Sequence, residues 1–189
     1  MAVSRSRQPC LWNGTLGLLL VVTALATSLP CQHLWILNNT FPWDALRLLR
    51  HMAPNSTETC DLQNEPLIPD TLLQIPFNPQ QATRITLSIL NHLFYTLSNN
   101  HSSQHWQQRP RHRLLNKLQH YIDHLEKCSP KTSRLFKGPG NPLLTIDRYF
   151  RDIHHFLPAH NHSACAWEHV RLQAHLFFQR VDKLTRRMR

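Results

Sequence analysis

The chain has 189 residues, 41% of them hydrophobic, and a formal net charge of +10. That length suits one domain plus a targeting segment. Beyond an N-terminal apolar stretch too short to span a bilayer, which reads as a signal peptide rather than a retained anchor, no run approaches membrane length, so a soluble mature protein is expected. The charge is uneven. Residues 31–108 carry three basic and five acidic side chains, and residues 109–189 carry sixteen basic and six acidic. The basic half favours acidic protein surfaces or polyanions such as heparan sulfate as partners.

The N-terminus reads as a signal peptide over residues 1–28. Arg5 and Arg7 supply a basic start, Leu16 to Ala26 an apolar stretch, and Ala26-Thr27-Ser28 a small-residue cleavage site. Cleavage after Ser28, or as late as residue 30, leaves a mature helical domain over 31–189. The secretory route makes nucleic acid a poor partner. Cys31, Cys60, Cys128 and Cys165 fall in the mature chain. An even count behind a signal peptide implies two disulfides, with three pairings open, each bridge worth about 3–5 kcal/mol. Sequons begin at Asn38, Asn55, Asn100 and Asn161. All four lie in segments that read as non-helical or at helix ends, as glycosylation of a secreted protein requires.

Five helices are predicted, with no alternating strand pattern. The first, α1, covers 43–52 with a stripe of Ala45, Leu46, Leu49 and Met52, and Pro54 stops it. A long connection, 55–77, follows and reads as a crossover. Helix α2 opens at Asn78-Pro79-Gln80-Gln81, a cap, a proline at the first position and a capping-box glutamine. Its stripe is Ala82, Ile85, Ile89, Leu90, Leu93, Phe94 and Leu97. Helix α3 covers 107–127, with Pro110 in its first turn and Leu114, Leu115, Leu118, Tyr121, Ile122 and Leu125 as its stripe. Helix α4 opens at Asn141-Pro142, buries Ile146, Tyr149, Phe150, Ile153, Phe156 and Leu157, and ends at Pro158. Helix α5 is capped by Ser163 and runs to about Arg187. Its seam, Trp167, Val170, Ala174, Phe177, Val181, Leu184 and Met188, repeats at alternating spacings of three and four. The fold class is all-α, a four-helix bundle whose core is α2 to α5, with α1 as a shorter companion.

The seam of α5 leaves Leu172 and Leu176 unexplained. At 100° per residue they stand one turn apart near the opposite side, beside Gln179 and bordered by Arg171 and His175. Two stacked leucines on a polar face read either as ordinary surface leucines or as an apolar anchor for a partner.

One segment is specific. Tyr149-Phe150-Arg151-Asp152-Ile153-His154-His155-Phe156-Leu157, then seven residues, then Cys165-Ala166-Trp167, resembles the signature of the type I interferon family. Glu168-His169-Val170-Arg171 continues the likeness, and Leu125-Glu126-Lys127-Cys128 and Cys31 match the family's other cysteines. The avian alpha, beta and kappa interferons are the most similar branch. The resemblance implies a cytokine bundle with a long α1–α2 crossover and disulfides Cys31–Cys128 and Cys60–Cys165. It also implies a secreted, monomeric ligand that bridges two receptor chains. One chain meets the crossover and α5; the other meets α2, α3 and α4 on the opposite face. Kinase signalling and an antiviral state follow. The implied receptor-facing residues are Arg171, Leu172, His175, Leu176 and Gln179, with Arg148 on α4. The stretch Asp61 to Glu65 departs from the family, which has an arginine there.

No catalytic signature is present, so no enzyme and no cofactor are expected. The fourteen histidines include His120 and His124 at helical spacing, but no third ligand or free thiolate completes a metal site. The competing readings are a helical cytokine of another branch (a type III interferon or an interleukin) and a heparan-sulfate-binding protein. The second rests on clusters at Arg109, Arg111, Arg113 and Lys117 and at Lys183, Arg186, Arg187 and Arg189.

Overall fold

A computed structural model describes residues 34–53, 60, 62, 65–70, 72, 77–129, 136 and 140–188. The expected signal peptide, Cys31, Asn55 and Arg189 lie outside them. The α-helices are α1 Leu34–His51, α2 Pro79–Leu97, α3 Gln108–Cys128, α4 Pro142–Ala159 and α5 Ala164–Thr185. A 3₁₀ turn, Asn100–Gln104, joins α2 to α3. No strand occurs among the described residues.

The caps form as their residue types require. The Asn78 side chain accepts from the Gln81 N–H at 2.8 Å, and the Gln81 side-chain Oε1 accepts from the Asn78 N–H at 3.2 Å. Asn141 caps α4 through the Leu143 N–H at 3.0 Å, and Ser163 caps α5 through the Ala166 N–H at 3.3 Å. Each satisfies a backbone donor that the first turn leaves without a partner. Pro158 lies inside the last turn of α4 rather than ending it, because the helix continues to Ala159.

Helix α1 corrects the expectation. It begins nine residues earlier than predicted and carries Pro42 in its interior. Proline lacks the N–H that would reach the residue-38 carbonyl, and Asn38-Asn39-Thr40 reads as a break. Tertiary contacts override both signals. Asn38 is buried, accepts a hydrogen bond from the Tyr121 hydroxyl on α3, and points Nδ2 at the Met188 sulfur 3.8 Å away. Phe41 packs its ring 4.5 Å from Tyr121 and 6.0 Å from Phe178. The Asn38 sequon therefore sits inside a helix and in the core, not in an open segment.

The extended α1 changes the core. α1 packs on α3 and α5, and α2 packs on the same two, closing a ring of four helices. α4 packs outside the ring, on α2 and α5. The four-helix core is therefore α1, α2, α3 and α5, not α2 to α5 as the lengths predict. Helix α5 touches three other helices, so it buries Phe178 and Gln173 as well as its seam. Trp167, Tyr121, Phe177 and Phe178 are among the largest fully buried side chains. Truncating one such aromatic to alanine costs about 3–5 kcal/mol.

Two polar devices hold the connections. Arg111, expected in a solvated basic cluster, is only 6% exposed. Its guanidinium donates to the Leu97 carbonyl at 3.1 Å, the Ser102 hydroxyl at 3.0 Å and the Asn99 carbonyl at 3.1 Å. It thus closes the C-terminal end of α2, where a cation is favoured. In the α1–α2 connection, Cys60 is bonded to Cys165 with Cα atoms 5.5 Å apart. There the His169 Nε2 lies 3.0 Å from the Pro66 carbonyl and its Nδ1 3.4 Å from Glu65. Cys128 is also disulfide-bonded, to a partner outside the described residues.

Candidate functional site

The exposed sector of α5 is narrow, because α1, α2 and α4 cover the rest. Leu172 and Leu176 stand in it, 50% and 40% exposed. Gln179 is exposed on the next turn and His175 is partly covered between them. Arg171 and His175 border this sector on the α1 side, near Leu49 and Arg50, and the leucines beyond them stay exposed. Burial, Arg171 and Arg50, in that order of effect, hold His175 below the usual imidazole range. The strip is therefore neutral and largely apolar at physiological pH.

Arg171 departs from the expectation of an open, partner-facing cation. Its side chain is 13% exposed. Nε and Nη2 donate to the two carboxylate oxygens of Glu168 at 2.8 and 2.6 Å. Nη1 points at the Leu49 carbonyl in the last turn of α1, 3.5 Å away. The bonds to Glu168 push the guanidinium pKa up, so the charge is permanent. Arg171 locks α5 onto α1 and presents only an edge. The spacing of three between Glu168 and Arg171 was the available sequence signal for this pair.

Sequence reasoning missed the α1 contribution to this flank. Trp43 is 63% exposed. With Asp44, Leu46, Arg47 and Arg50 it lines a shallow depression. Positions 43, 46, 47 and 50 share one helical face, so spacing alone could have found them. Asp44 pairs with Arg47 at 3.1 Å and with Lys117 at 2.7 Å.

A second flank lies on α2 and α4. Tyr95 is 68% and Leu144 58% exposed. The Tyr95 ring meets His154 edge-on at 5.2 Å, and the Thr96 hydroxyl lies 3.1 Å from the His154 Nε2. His92 Nε2 lies 2.8 Å from Asp147, and its ring stacks on Phe150 at 4.8 Å. Arg148 is exposed on α4, on this flank rather than with the leucine strip. α1 and α2 occupy diagonal corners of the ring, so the two surfaces face different directions.

The basic clusters thin out. Arg111 is buried, Lys117 pairs with Asp44, and Arg186 pairs with Asp182 at 2.9 Å. Arg109, Arg113, Lys183 and Arg187 stay exposed. The His120 and His124 rings meet edge-on at 4.6 Å, two ligands at most. Among the described residues no three histidine, cysteine or acidic side chains gather as a metal site, and no helix is long and apolar enough to cross a membrane.

Residues 37–188 match the family model of the interferon alpha/beta domain. The chain is 45% identical to interferon type B of Gallus gallus over 175 residues, covering 91% of this chain and 86% of that protein. It is 41% identical to an interferon of Meleagris gallopavo over 192 residues, covering all of both chains. Zebrafish interferon 1 shares the fold with a TM-score of 0.62 at 20% identity, over 80% of this chain and 96% of that one.

Proposed function

The chain belongs to the type I interferon family, whose members are cytokines and not enzymes, and from that premise we propose that it is a secreted ligand joining two receptor chains. Residues of α1 and α5 form the first contact. Leu172 and Leu176 are its apolar anchors, with Gln179, His175, Trp43 and the edge of Arg171 around them. Tyr95, Leu144 and Arg148 on α2 and α4 form the second contact. Holding two receptor chains together brings their intracellular kinases within reach of each other. Once one face is engaged, the second binding event is effectively intramolecular. The cytokine performs no chemistry. The resulting gene induction is an antiviral state.

The observation that carries this reading is the exposed leucine pair on a helix that three neighbours otherwise cover. Stacked, well-flanked apolar side chains are what an interface core requires, and truncating such anchors costs 1 kcal/mol or more each. The test is an interferon-response reporter in species-matched cells, with and without the type I receptor, using the disulfide-bonded mature protein. Native protein induces the reporter only when the receptor is present. Leu172→Ala with Leu176→Ala loses about tenfold to a hundredfold in potency at an unchanged melting temperature. Receptor-independent induction, or full potency of the double variant, would refute the assignment.

A further inference from the structure

Four sequons occur in the mature chain, and three of them fall among the described residues in very different surroundings. Asn38 is 7% exposed in the middle of α1. Its amide is engaged at both ends, by the Tyr121 hydroxyl and by the Met188 sulfur. A glycan on Nδ2 would displace Met188 and separate α1 from the end of α5. Asn100 and Asn161 are both exposed. They belong to the 3₁₀ turn after α2 and to the corner between α4 and α5. These two turns meet: His101 and His162, the central residues of the two sequons, stack with ring centroids 4.2 Å apart and planes 11° apart. Asn161 sits at φ 54°, a left-handed turn that asparagine tolerates better than most residues.

We propose that, of the three sequons among the described residues, Asn100 and Asn161 carry carbohydrate side by side at one pole of the bundle, and that the secreted molecule is bare at Asn38. The proposal rests on the secretory reading above. In the transfer, Nδ2 attacks the anomeric carbon of a lipid-pyrophosphate-linked oligosaccharide. The new C–N bond forms as the C–O bond to pyrophosphate breaks. The pyrophosphate leaves with the electron pair, and Nδ2 gives up one proton.

The hydroxyls that complete the two sequons set the timing. Ser102 is fully buried; its hydroxyl accepts from Arg111 and lies 3.1 Å from the Leu97 carbonyl. The Ser163 hydroxyl is committed to the α5 cap. Both must be read before α3 and α5 dock, so transfer precedes folding. A chain modified at Asn38 at that stage cannot close α1 onto α3 and α5. Folding then sorts the molecules: those glycosylated at the pole proceed, and those glycosylated at Asn38 are retained. The pole lies beyond the helix ends, and at about 1.5 Å per residue Leu172 is roughly 12 Å along α5 from Ala164.

The experiment is glycopeptide mass spectrometry on protein secreted by vertebrate cells and on the fraction retained inside them, each before and after peptide N-glycosidase. Asn100 and Asn161 are expected to convert to aspartate on deglycosylation of the secreted protein, and Asn38 to remain asparagine. Asn100→Asp and Asn161→Asp each remove one glycan. Thr40→Ala abolishes the Asn38 sequon while leaving the clamp in place; the secreted glycan pattern stays the same and Asn38 glycopeptides vanish from the retained fraction. A secreted, receptor-active species glycosylated at Asn38 would overturn the proposal, as would secreted protein bare at both Asn100 and Asn161. Absence of the chain from the medium and from the secretory compartment would instead overturn the secretory reading.

Discussion

Arg111 separates a structural arginine from a partner-binding one. Arg111→Ala deletes three hydrogen bonds, to the carbonyls of Leu97 and Asn99 and to the buried hydroxyl of Ser102. A hydrogen bond from a charged donor is worth about 1.5–3 kcal/mol, so the gross loss is large. Two effects reduce it. Burial lowers the pKa of this guanidinium, so removing it recovers a desolvation cost. Water can also reach the freed Asn99 carbonyl, since Asn99 is exposed. A net loss of about 2–4 kcal/mol remains, or roughly 5–15 °C for a domain of this size. Arg109→Ala and Arg113→Ala remove exposed cations from the same turn and cost within about 0.5 kcal/mol.

Thermal unfolding by circular dichroism, paired with elution from heparin along a salt gradient, tests the argument. Arg111→Ala melts far below the native protein and, below its transition, elutes with it. Arg109→Ala and Arg113→Ala melt normally and elute earlier. Arg111→Lys recovers only part of the loss, because one ammonium cannot reproduce the planar fork. An Arg111→Ala protein melting within about 2 °C of native, yet eluting early, would refute the structural assignment.

Arg171→Ala is expected to lower both stability and signalling, because the side chain joins α5 to α1 as well as edging the strip; Arg171→Lys, which keeps charge but loses the two-point grip on Glu168, falls between. Calorimetry and reporter potency on the same samples decide this, and an Arg171→Ala protein with native melting and native potency would contradict it. Acid should destabilise the fold. Burial lowers the pKa of His154, His162 and His175 below the ordinary 6.5, helped by His92 and His155, by His101 and His105, and by Arg171 and Arg50 respectively. The unfolded chain then binds protons more readily than the folded one, so stability falls as pH drops through about 6.5 and levels off below the folded values. Melting temperatures measured from pH 7.5 to 5.5 should decline, and His162→Asn should flatten part of the slope; a rise towards acid would contradict the sign. Replacing Cys60 and Cys165 together by serine opens a 105-residue separation and should cost about 3–5 kcal/mol, read as an earlier denaturant midpoint.

Much of the bundle was legible because local chemistry and packing agree there. The caps at Asn78, Asn141 and Ser163 are set by side-chain reach over three residues. The seam of α5 is set by helical period, and each of its members from Trp167 to Leu184 is buried. The start of α1 was illegible because its decisive partners, Tyr121 and Met188, lie 83 and 150 residues away. Against local signals of asparagine, threonine and proline, only those distant contacts make the segment helical. Arg111 was illegible for a related reason: two of its three acceptors are backbone carbonyls at a helix end, which leave no residue-type trace. The leucine strip was visible as an anomaly of period, and the covering of Arg171 by Glu168 was readable from their spacing.

The electrostatics of the two flanks give the candidate surfaces different characters. On the α1–α5 flank the cation nearest the leucines is neutralised by Glu168, and His175 is held uncharged. What remains to meet a partner is the apolar area of Leu172 and Leu176 and the polar tip of Gln179, with exposed Arg50 on α1 and Lys183 on α5 at its rim. The leucine contacts act mainly through dissociation and respond weakly to salt, whereas the rim cations act on association and respond to it. Of the exposed cations in the two basic clusters, Arg109 and Arg113 lie at the start of α3, whereas Lys183, four residues after Gln179, continues the face of the strip. Any polyanion they met would be held through a screened field that decays over about 8 Å at physiological ionic strength. If the leucines anchor the proposed receptor contact, added salt should weaken a polyanion contact at Arg109 and Arg113 far more than that one.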